Sequence, residues 1–381
     1  MSFQLTEEQE MVRLMARDFA AKELEPSAAQ RDKEEIFPMD VVKKMGELGL
    51  LGMMVPDEYG GAGAGAVSYC LALQEIAYSC ASTAVTMSVA NLSTEPLLKF
   101  GDEEQKARYL TRLAQGELLG CFALTEPAAG SDPGSLSMRA DDEGDHYLLN
   151  GTKTFITHGQ YADIVNLIAR TGPEKGSKGL SAFIVEKGTP GFSIGTREDK
   201  MGLRASNTVE LLFNDCRIPK ENLVGRPGAG FRTAMVALDS GRIGIASQAL
   251  GITRACLDES IEYSNKRKQF GKTIGSFEAI QWMLADMATG IEAANWLIMS
   301  AAWRKDQGLD FTKEASMAKL FSSELANKSA YLALQIHGGY GYLKEFKVER
   351  LFRDARATTI YEGTSEIQRL VIARNLLKDH K

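Results

Sequence analysis

A change of hydrophobic period near Gly120, reversed near residue 230, constrains this chain more than any other feature. Between those points lie short β-branched and aromatic runs: Cys121–Leu124, His146–Leu149, Lys153–Ile156, Ile164–Ile168, Leu180–Val185 and Val209–Phe213. Clusters of Gly, Asn, Asp and Pro separate them, and Asn150-Gly151 predicts a hairpin turn. On either side the apolar residues recur at helical spacing. An α+β multidomain fold follows. Residues 1–120 form a helical N-terminal domain, 121–230 a small β-barrel-like middle domain, and 231–381 a C-terminal four-helix bundle.

Thr6, followed by Glu7, Glu8 and Gln9, is a capping signature. It predicts a helix with Met11, Leu14, Met15, Phe19 and Leu24 on its apolar side and Pro26 near its end. A second helix is expected from Pro38 to Leu50, then others over Val67–Tyr78, Thr83–Phe100 and Glu103–Gln115. Phe231–Arg267, Ser276–Gln307 and Phe311–Ile336 are long enough for bundle helices, and a fourth follows Thr364. Short connections between them argue an antiparallel bundle. Gly61-Ala62-Gly63-Ala64-Gly65-Ala66 matches the glycine pattern of a dinucleotide-binding turn. Pro56-Asp57-Glu58-Tyr59 stands where its strand should be, and Ser79 to Thr86 holds no acid for the ribose. A loop between helices is the better reading.

The formal charge of −6 argues against a nucleic-acid partner, which calls for a basic field. No apolar run reaches transmembrane length, so no membrane partner is expected. The acidic start, Thr6-Glu7-Glu8, lacks secretory or transit character. A cytoplasmic location in a bacterium is expected, or the mitochondrial matrix if a targeting segment has been removed. Cys70, Cys80, Cys121, Cys216 and Cys256 are widely spaced and predicted to be buried reduced thiols. His146, His158, His337 and His380 do not pair at metal-ligand spacing, so no metal site is expected.

Chemistry concentrates in Ile360-Tyr361-Glu362-Gly363-Thr364-Ser365-Glu366-Ile367-Gln368-Arg369. The stretch turns at Gly363 and offers Thr364 or Ser365 as a helix N-cap. Ile367, Leu370, Val371 and Leu377 then follow at spacings that suit one helix face. Glu362 therefore stands just outside a helix start, on bent backbone, where its carboxylate can enter a cleft. A solvated Glu in a helix entry is the plainer alternative. Two further stretches weigh against it: Phe122-Ala123-Leu124-Thr125-Glu126-Pro127-Ala128-Ala129-Gly130-Ser131-Asp132 and Gln335-Ile336-His337-Gly338-Gly339-Tyr340-Gly341. Together the three resemble the acyl-CoA dehydrogenase family of FAD-dependent flavoenzymes, nearly end to end and in order.

The resemblance implies an oxidoreductase acting on a CH–CH group. Glu362 would be the catalytic base for the α proton of an acyl-CoA, with the β hydride passing to flavin N5 and a 2-enoyl-CoA as product. It implies flavin contacts from Phe122, Leu124, Thr125, Gly130 and Ser131, and from Phe155, Ile156 and Thr157. Arg267, Phe270, Gln335, Gly338 and Gly339 would hold the adenine and pyrophosphate, partly from a neighbouring subunit. Arg suits a grip on phosphate and paired glycines permit close approach, although Arg267 alone reads equally as a helix-end cation. Thr364 and Glu366 would add contacts near the flavin. Acyl-CoA would meet Ser131, Asp239, Arg242 and Arg374; taken alone, Asp239 is an ordinary first-turn helix acid. A homotetramer and an electron-transferring flavoprotein as acceptor complete the implied picture.

Some branches of that family carry the base at what is Gly241 here; this chain has only Glu362. Gly241-Arg242-Ile243-Gly244 is similar to the short-chain or short-branched-chain branch, which implies a short straight, branched or small cyclic acyl group. One departure stands out. Four residues lie between Asn91 and Pro96, where the commoner family pattern has five, on a helix that borders the acyl pocket in relatives.

Overall fold

A computed structural model describes residues 4–174 and 176–378, so the extreme N-terminus and His380 lie outside the described residues. The chain begins with the predicted capping box. Thr6 Oγ1 accepts from Gln9 N–H, and Gln9 Oε1 accepts from Thr6 N–H. Helix α1 (Glu7–Phe19) does not end near Pro26 as expected. A π turn over Ala20–Leu24, in which Glu25 N–H donates to Ala20 O, carries it into α2 (Glu25–Glu34), with Pro26, which lacks an N–H, directly after the turn. Its buried side holds Ala16, Phe19, Ala20 and Leu24, while Met11 and Leu14 are exposed. Helices α3 (Met39–Glu47), α4 (Gly65–Ser79), α5 (Ala81–Phe100) and α6 (Glu103–Ala114) follow. The glycine run leads into α4 as a loop, and Asp306 caps that helix by accepting from Ala66 N–H at 2.6 Å and Val67 N–H at 3.1 Å. Helices α4 and α5 are buried almost all round, which makes them the spine of this half.

The middle of the chain is an eight-stranded sheet. Its strands are β1 (Gly120–Ala123), β2 (Arg139–Asp142), β3 (His146–Thr157), β4 (Ile164–Arg170), β5 (Leu180–Glu186), β6 (Phe192–Arg197), β7 (Thr208–Pro219) and β8 (Leu223–Val224). They lie in the order β6-β7-β3-β2-β4-β5-β8, with β1 parallel to β4. Asn150-Gly151 is not the predicted hairpin turn. It is a bulge inside one long strand, where the register against β7 shifts between Leu149 and Gly151. A Cβ on Gly151 would stand 2.7 Å from Met138 Cγ, so the glycine answers a close approach, and Asn150 bonds across the sheet to Asp215. The actual β2–β3 turn falls at Gly144, with φ 91° and an Asp142 carboxylate accepting from its N–H.

The C-terminal part is built on α7 (Gly230–Lys266), α8 (Glu278–Asp306), α9 (Thr312–His337) and α11 (Ser365–Lys378). Helix α10 (Lys347–Ala357), unforeseen in sequence, joins the last two, and a small hairpin of β9 (Lys268–Gln269) and β10 (Lys272–Thr273) follows α7. Small buried residues on α9, among them Ala315, Ser322, Ala326 and Ala333, let α7 approach closely. Helix α11 departs from expectation. Ser365 and Gln368 are its buried residues, whereas Leu370 and Leu377 are exposed. All five cysteines are buried and unpaired. Among the described residues no His, Cys, Asp and Glu cluster could hold a metal, and no helix is long and apolar enough to cross a membrane.

Candidate active site

Glu362 sits between α10 and α11 with φ 54°, followed by Gly363 at φ 89°. Two consecutive left-handed residues turn the chain sharply, and Thr364 then caps α11 by accepting from Ile367 N–H at 3.4 Å. The Glu362 carboxyl points at α7. A Cβ added to Gly241 would lie 2.6 Å from Glu362 Oε2 and 3.2 Å from Leu92 Cδ1 of α5. That oxygen is shielded from solvent and has no hydrogen-bond partner. Burial pushes the carboxyl up to about 7, against the opposing pull of Arg242 and then Lys319.

A buried polar frame surrounds it. Gln368 Nε2 donates to Glu362 O at 3.0 Å and Gly363 O at 2.9 Å, and Lys319 Nζ donates to Gly363 O at 2.7 Å. The Tyr361 hydroxyl donates to Gln248 Oε1 on α7. Arg242 is buried, pairs with Asp239 at 2.6 Å and leaves its Nε unpartnered. Asp239, held also by Thr312 Oγ1 at 2.7 Å, has its carboxyl pushed up by burial despite Arg242. It lies well inside α7, which begins at Gly230, and is not a first-turn acid.

Helices α5 and α7 line the same space from two sides. One turn from Leu92 and Gly241, the Tyr69 hydroxyl meets Ser88 Oγ at 3.2 Å, directly over Gly244. A Cβ on Gly244 would stand 2.5 Å from that hydroxyl. In the opposite direction Lys305 pairs with buried Glu95 and reaches Ser240 Oγ. The shortened Asn91–Pro96 segment stays helical. Asn91 ties α5 to the preceding loop through Met53 N–H at 3.0 Å and Leu50 O at 2.8 Å.

The middle domain presents a second group. The loop after β1 is joined to β3 where Thr154 N–H donates to Thr125 O at 2.9 Å. Beneath it Lys153 and Glu126 form a buried ion pair at 2.8 Å, and Glu126 also accepts from Ser137 and Met138 N–H. Phe155, at φ 58°, is 64% exposed, and Gly130 and Ser131 are open to solvent. Phe122, Leu124, Thr125 and Thr157 are half-buried. Ile156 differs from expectation: its side chain is packed in the sheet core, so it has only backbone to offer a ligand.

A third group is remote. Arg267, Gly338 and Gly339 share a cleft of about 490 Å³ with Tyr263, His337 and Tyr340. The Arg267 guanidinium lies 5.4 Å from the Tyr340 ring centre, Gln335 is exposed beside it, and Phe270 is 93% exposed. A Cβ on Gly338 or Gly339 would meet nothing within 4 Å. Gly241 and Arg267 are 26 positions apart along α7, or roughly 39 Å at helical rise. One protomer therefore does not bring this cleft to its own Glu362. Arg374 is exposed toward the end of α11, ten residues beyond Thr364, and Glu366 is exposed in its first turn.

The sequence reading missed Lys153, Lys319 and Gln368. Lys319 had a signal: it repeats at the spacing of Ala315, Ser322 and Ala326, which places a lysine on a buried stripe.

Three family models, described as the N-terminal, middle and C-terminal domains of acyl-CoA dehydrogenase, match residues 6–117, 121–216 and 228–377. The chain belongs to the acyl-CoA dehydrogenase family, and is an oxidoreductase acting on a CH–CH group. The mitochondrial short-chain specific acyl-CoA dehydrogenase of Rattus norvegicus is 53% identical, over 100% of this chain and 92% of the rat protein. An acryloyl-CoA reductase (NADH) of Anaerotignum propionicum is 50% identical over 99% of this chain and 96% of its own length. Butyryl-CoA dehydrogenase from Megasphaera elsdenii superposes with a TM-score of 0.97 at 44% identity, covering 99% of this chain and 100% of that one. A chain from a structure described as the electron transferring flavoprotein of Acidaminococcus fermentans gives 0.98 at 47%, with 99% and 100% covered.

Proposed function

We propose that this chain is an FAD-dependent dehydrogenase that converts a short-chain acyl-CoA to its 2-enoyl-CoA, with Glu362 as the base. The observation that carries this reading is the shielded, unpartnered Glu362 Oε2 facing bare backbone at Gly241. A carboxyl with no partner and a pKa near neutrality is suited to take a proton at working pH.

The residues present fit FAD. Exposed Phe155 offers a flat face, the open backbone at Gly130, Gly338 and Gly339 permits close approach, and Arg267 suits a pyrophosphate. Bound FAD would supply the acceptor for the β hydride. Phe122, Leu124, Thr125, Ser131 and Thr157 would orient its ring end, and Gln335 and Phe270 its adenine end, with the two ends served by different copies of the chain. A thioester carbonyl needs donors when charge develops on it. Among the described residues nothing accepts from Glu362 N–H, which leaves that group free to donate to it. Leu92 and Tyr361, close to the carboxyl, would limit access of water to the proton transfer. Asp239, Arg242 and Arg374 would steer the CoA arm.

Asp239 and Gly244 lie in opposite directions from Gly241 along α7. If CoA enters on the Asp239 side, the acyl chain runs toward Tyr69 and Ser88. That floor is one turn away, roughly 5 Å, which suits about four carbons. The names of the rat and Megasphaera proteins support the same class. A homotetramer, an electron-transferring flavoprotein as electron acceptor, and a bacterial cytoplasmic or mitochondrial-matrix location complete the proposal. The Anaerotignum relative favours a second reading, in which the same site runs as a reductase. Anaerobic bleaching of the bound flavin by butyryl-CoA tests the main reading. Glu362→Gln should bind FAD and acyl-CoA yet lose bleaching by roughly 10²–10⁴-fold. Full-rate bleaching in that variant would mean another group takes the proton.

A further inference from the structure

Lys319 has no exposed surface, an uncommon state for a lysine. It lies on α9 and spends its ammonium on one backbone oxygen, Gly363 O, at 2.7 Å. Gln368 Nε2 already donates to that oxygen and to Glu362 O, so a neutral donor is in place. The carbonyls of Glu362 and Gly363 are thus both held by buried donors, on backbone that is left-handed at both residues. A non-glycine residue in that region is strained, and persists only where surrounding contacts over-determine it.

We propose that Lys319 is a positioning residue for Glu362: by pinning Gly363 O it holds the left-handed turn that aims the carboxyl at Gly241, and it stands as a positive charge behind the base. This rests on Glu362 being the base. The charge has a function that the hydrogen bond alone does not. Burial drives Glu362 toward its protonated form, and the opposing charges are Arg242 from α7 and Lys319 from α9; the Tyr69 and Tyr361 hydroxyls are the other titratable groups close by. Lys319 in turn faces Glu362, Arg242, Glu324 and Glu366. Burial pulls its ammonium down to about 7, and the Glu362 carboxylate acts to keep it charged. Without Lys319, Arg242 alone would oppose burial, and Glu362 would hold its proton to higher pH.

Two variants of the FAD-loaded enzyme separate the two contributions. Lys319→Met removes both donor and charge; Lys319→Gln keeps a donor and removes the charge. Both should retain FAD and bind butyryl-CoA. Lys319→Met should slow single-turnover flavin bleaching by roughly 10²-fold, the scale of a small misplacement of a reacting group. In both, the acid limb of the bleaching rate should move to higher pH. Infrared titration of the Glu362 carboxyl, taken as a difference against Glu362→Gln, should move the same way without any turnover. Wild-type bleaching in Lys319→Met, or an unmoved infrared midpoint in Lys319→Gln, overturns the proposal. Failure of the base assignment reads separately, as bleaching that survives Glu362→Gln.

Discussion

Gly241 and Glu362 face each other so closely that a Cβ on the glycine would stand 2.6 Å from one carboxyl oxygen and 2.9 Å from Cδ. Bare backbone on α7 is what gives the carboxyl its resting place. Gly241→Ala should therefore displace the carboxyl and slow flavin bleaching by roughly 10²-fold, with FAD content unchanged. Moving the acid across the gap, as Gly241→Glu with Glu362→Gly, should restore part of the rate that Glu362→Gly alone loses. Equal rates in the single and double variants would show that the two walls do not share one reacting atom.

The raised carboxyl also predicts a stability difference. Glu362 is lifted from 4.5 to about 7 by burial, so the protonated form is favoured by folding. Its contribution is full below pH 4.5 and is lost as pH rises through 7. Glu362→Gln has no proton to lose. Its Tm should match the wild type near pH 4 and exceed it increasingly up to about pH 8. A Tm difference independent of pH would place the carboxyl near its ordinary range.

Chain length should follow Gly244. A Cβ there meets the Tyr69 hydroxyl at 2.5 Å and Ser88 Oγ at 2.6 Å, so Gly244→Ala forces the floor upward or outward. Turnover of butyryl-CoA should fall about tenfold or more while propionyl-CoA is less affected. Tyr69→Ala should act in reverse and raise hexanoyl-CoA relative to butyryl-CoA, since roughly a ring's volume is removed. An unchanged chain-length profile in both variants would place the acyl end elsewhere.

Much of this arrangement was legible in the residues. The capping box at Thr6 and the long bundle helices carry local signals that tertiary contacts did not override. The placement of Glu362 just outside a helix start was legible because Gly363 and the cap Thr364 follow it directly. Asn150-Gly151 misled because the same dipeptide that turns a hairpin also fits a bulge, and only the approach of Met138 distinguishes them. Lys319 and Gln368 were missed for a related reason: a polar side chain looks solvated until its buried backbone partner is known. Leu370 and Leu377 misled in the other direction, being apolar yet exposed in one protomer.

Those exposed residues lead to assembly. Phe270, Trp282, Ile360, Leu370 and Leu377 all lie on the C-terminal part and remain uncovered in one chain. The span of α7 makes the same demand, because roughly 39 Å separates Gly241 from Arg267. A flavin dinucleotide whose ring end serves Glu362 and whose other end lies in the Arg267 cleft would then meet two chains. The chain should sediment as a homotetramer, and a sharper test uses complementation. Arg267→Ala loses the cleft end and Glu362→Gln the base. Each alone should be poorly active. After subunit exchange, a hybrid pair holds one doubly damaged site and one intact site, as two-fold symmetry requires. An equal mixture should then recover roughly a quarter of the wild-type sites. If both residues served the same site within one chain, the mixture would never exceed the average of the two variants, and the cleft at Arg267 would have no part in a shared flavin site.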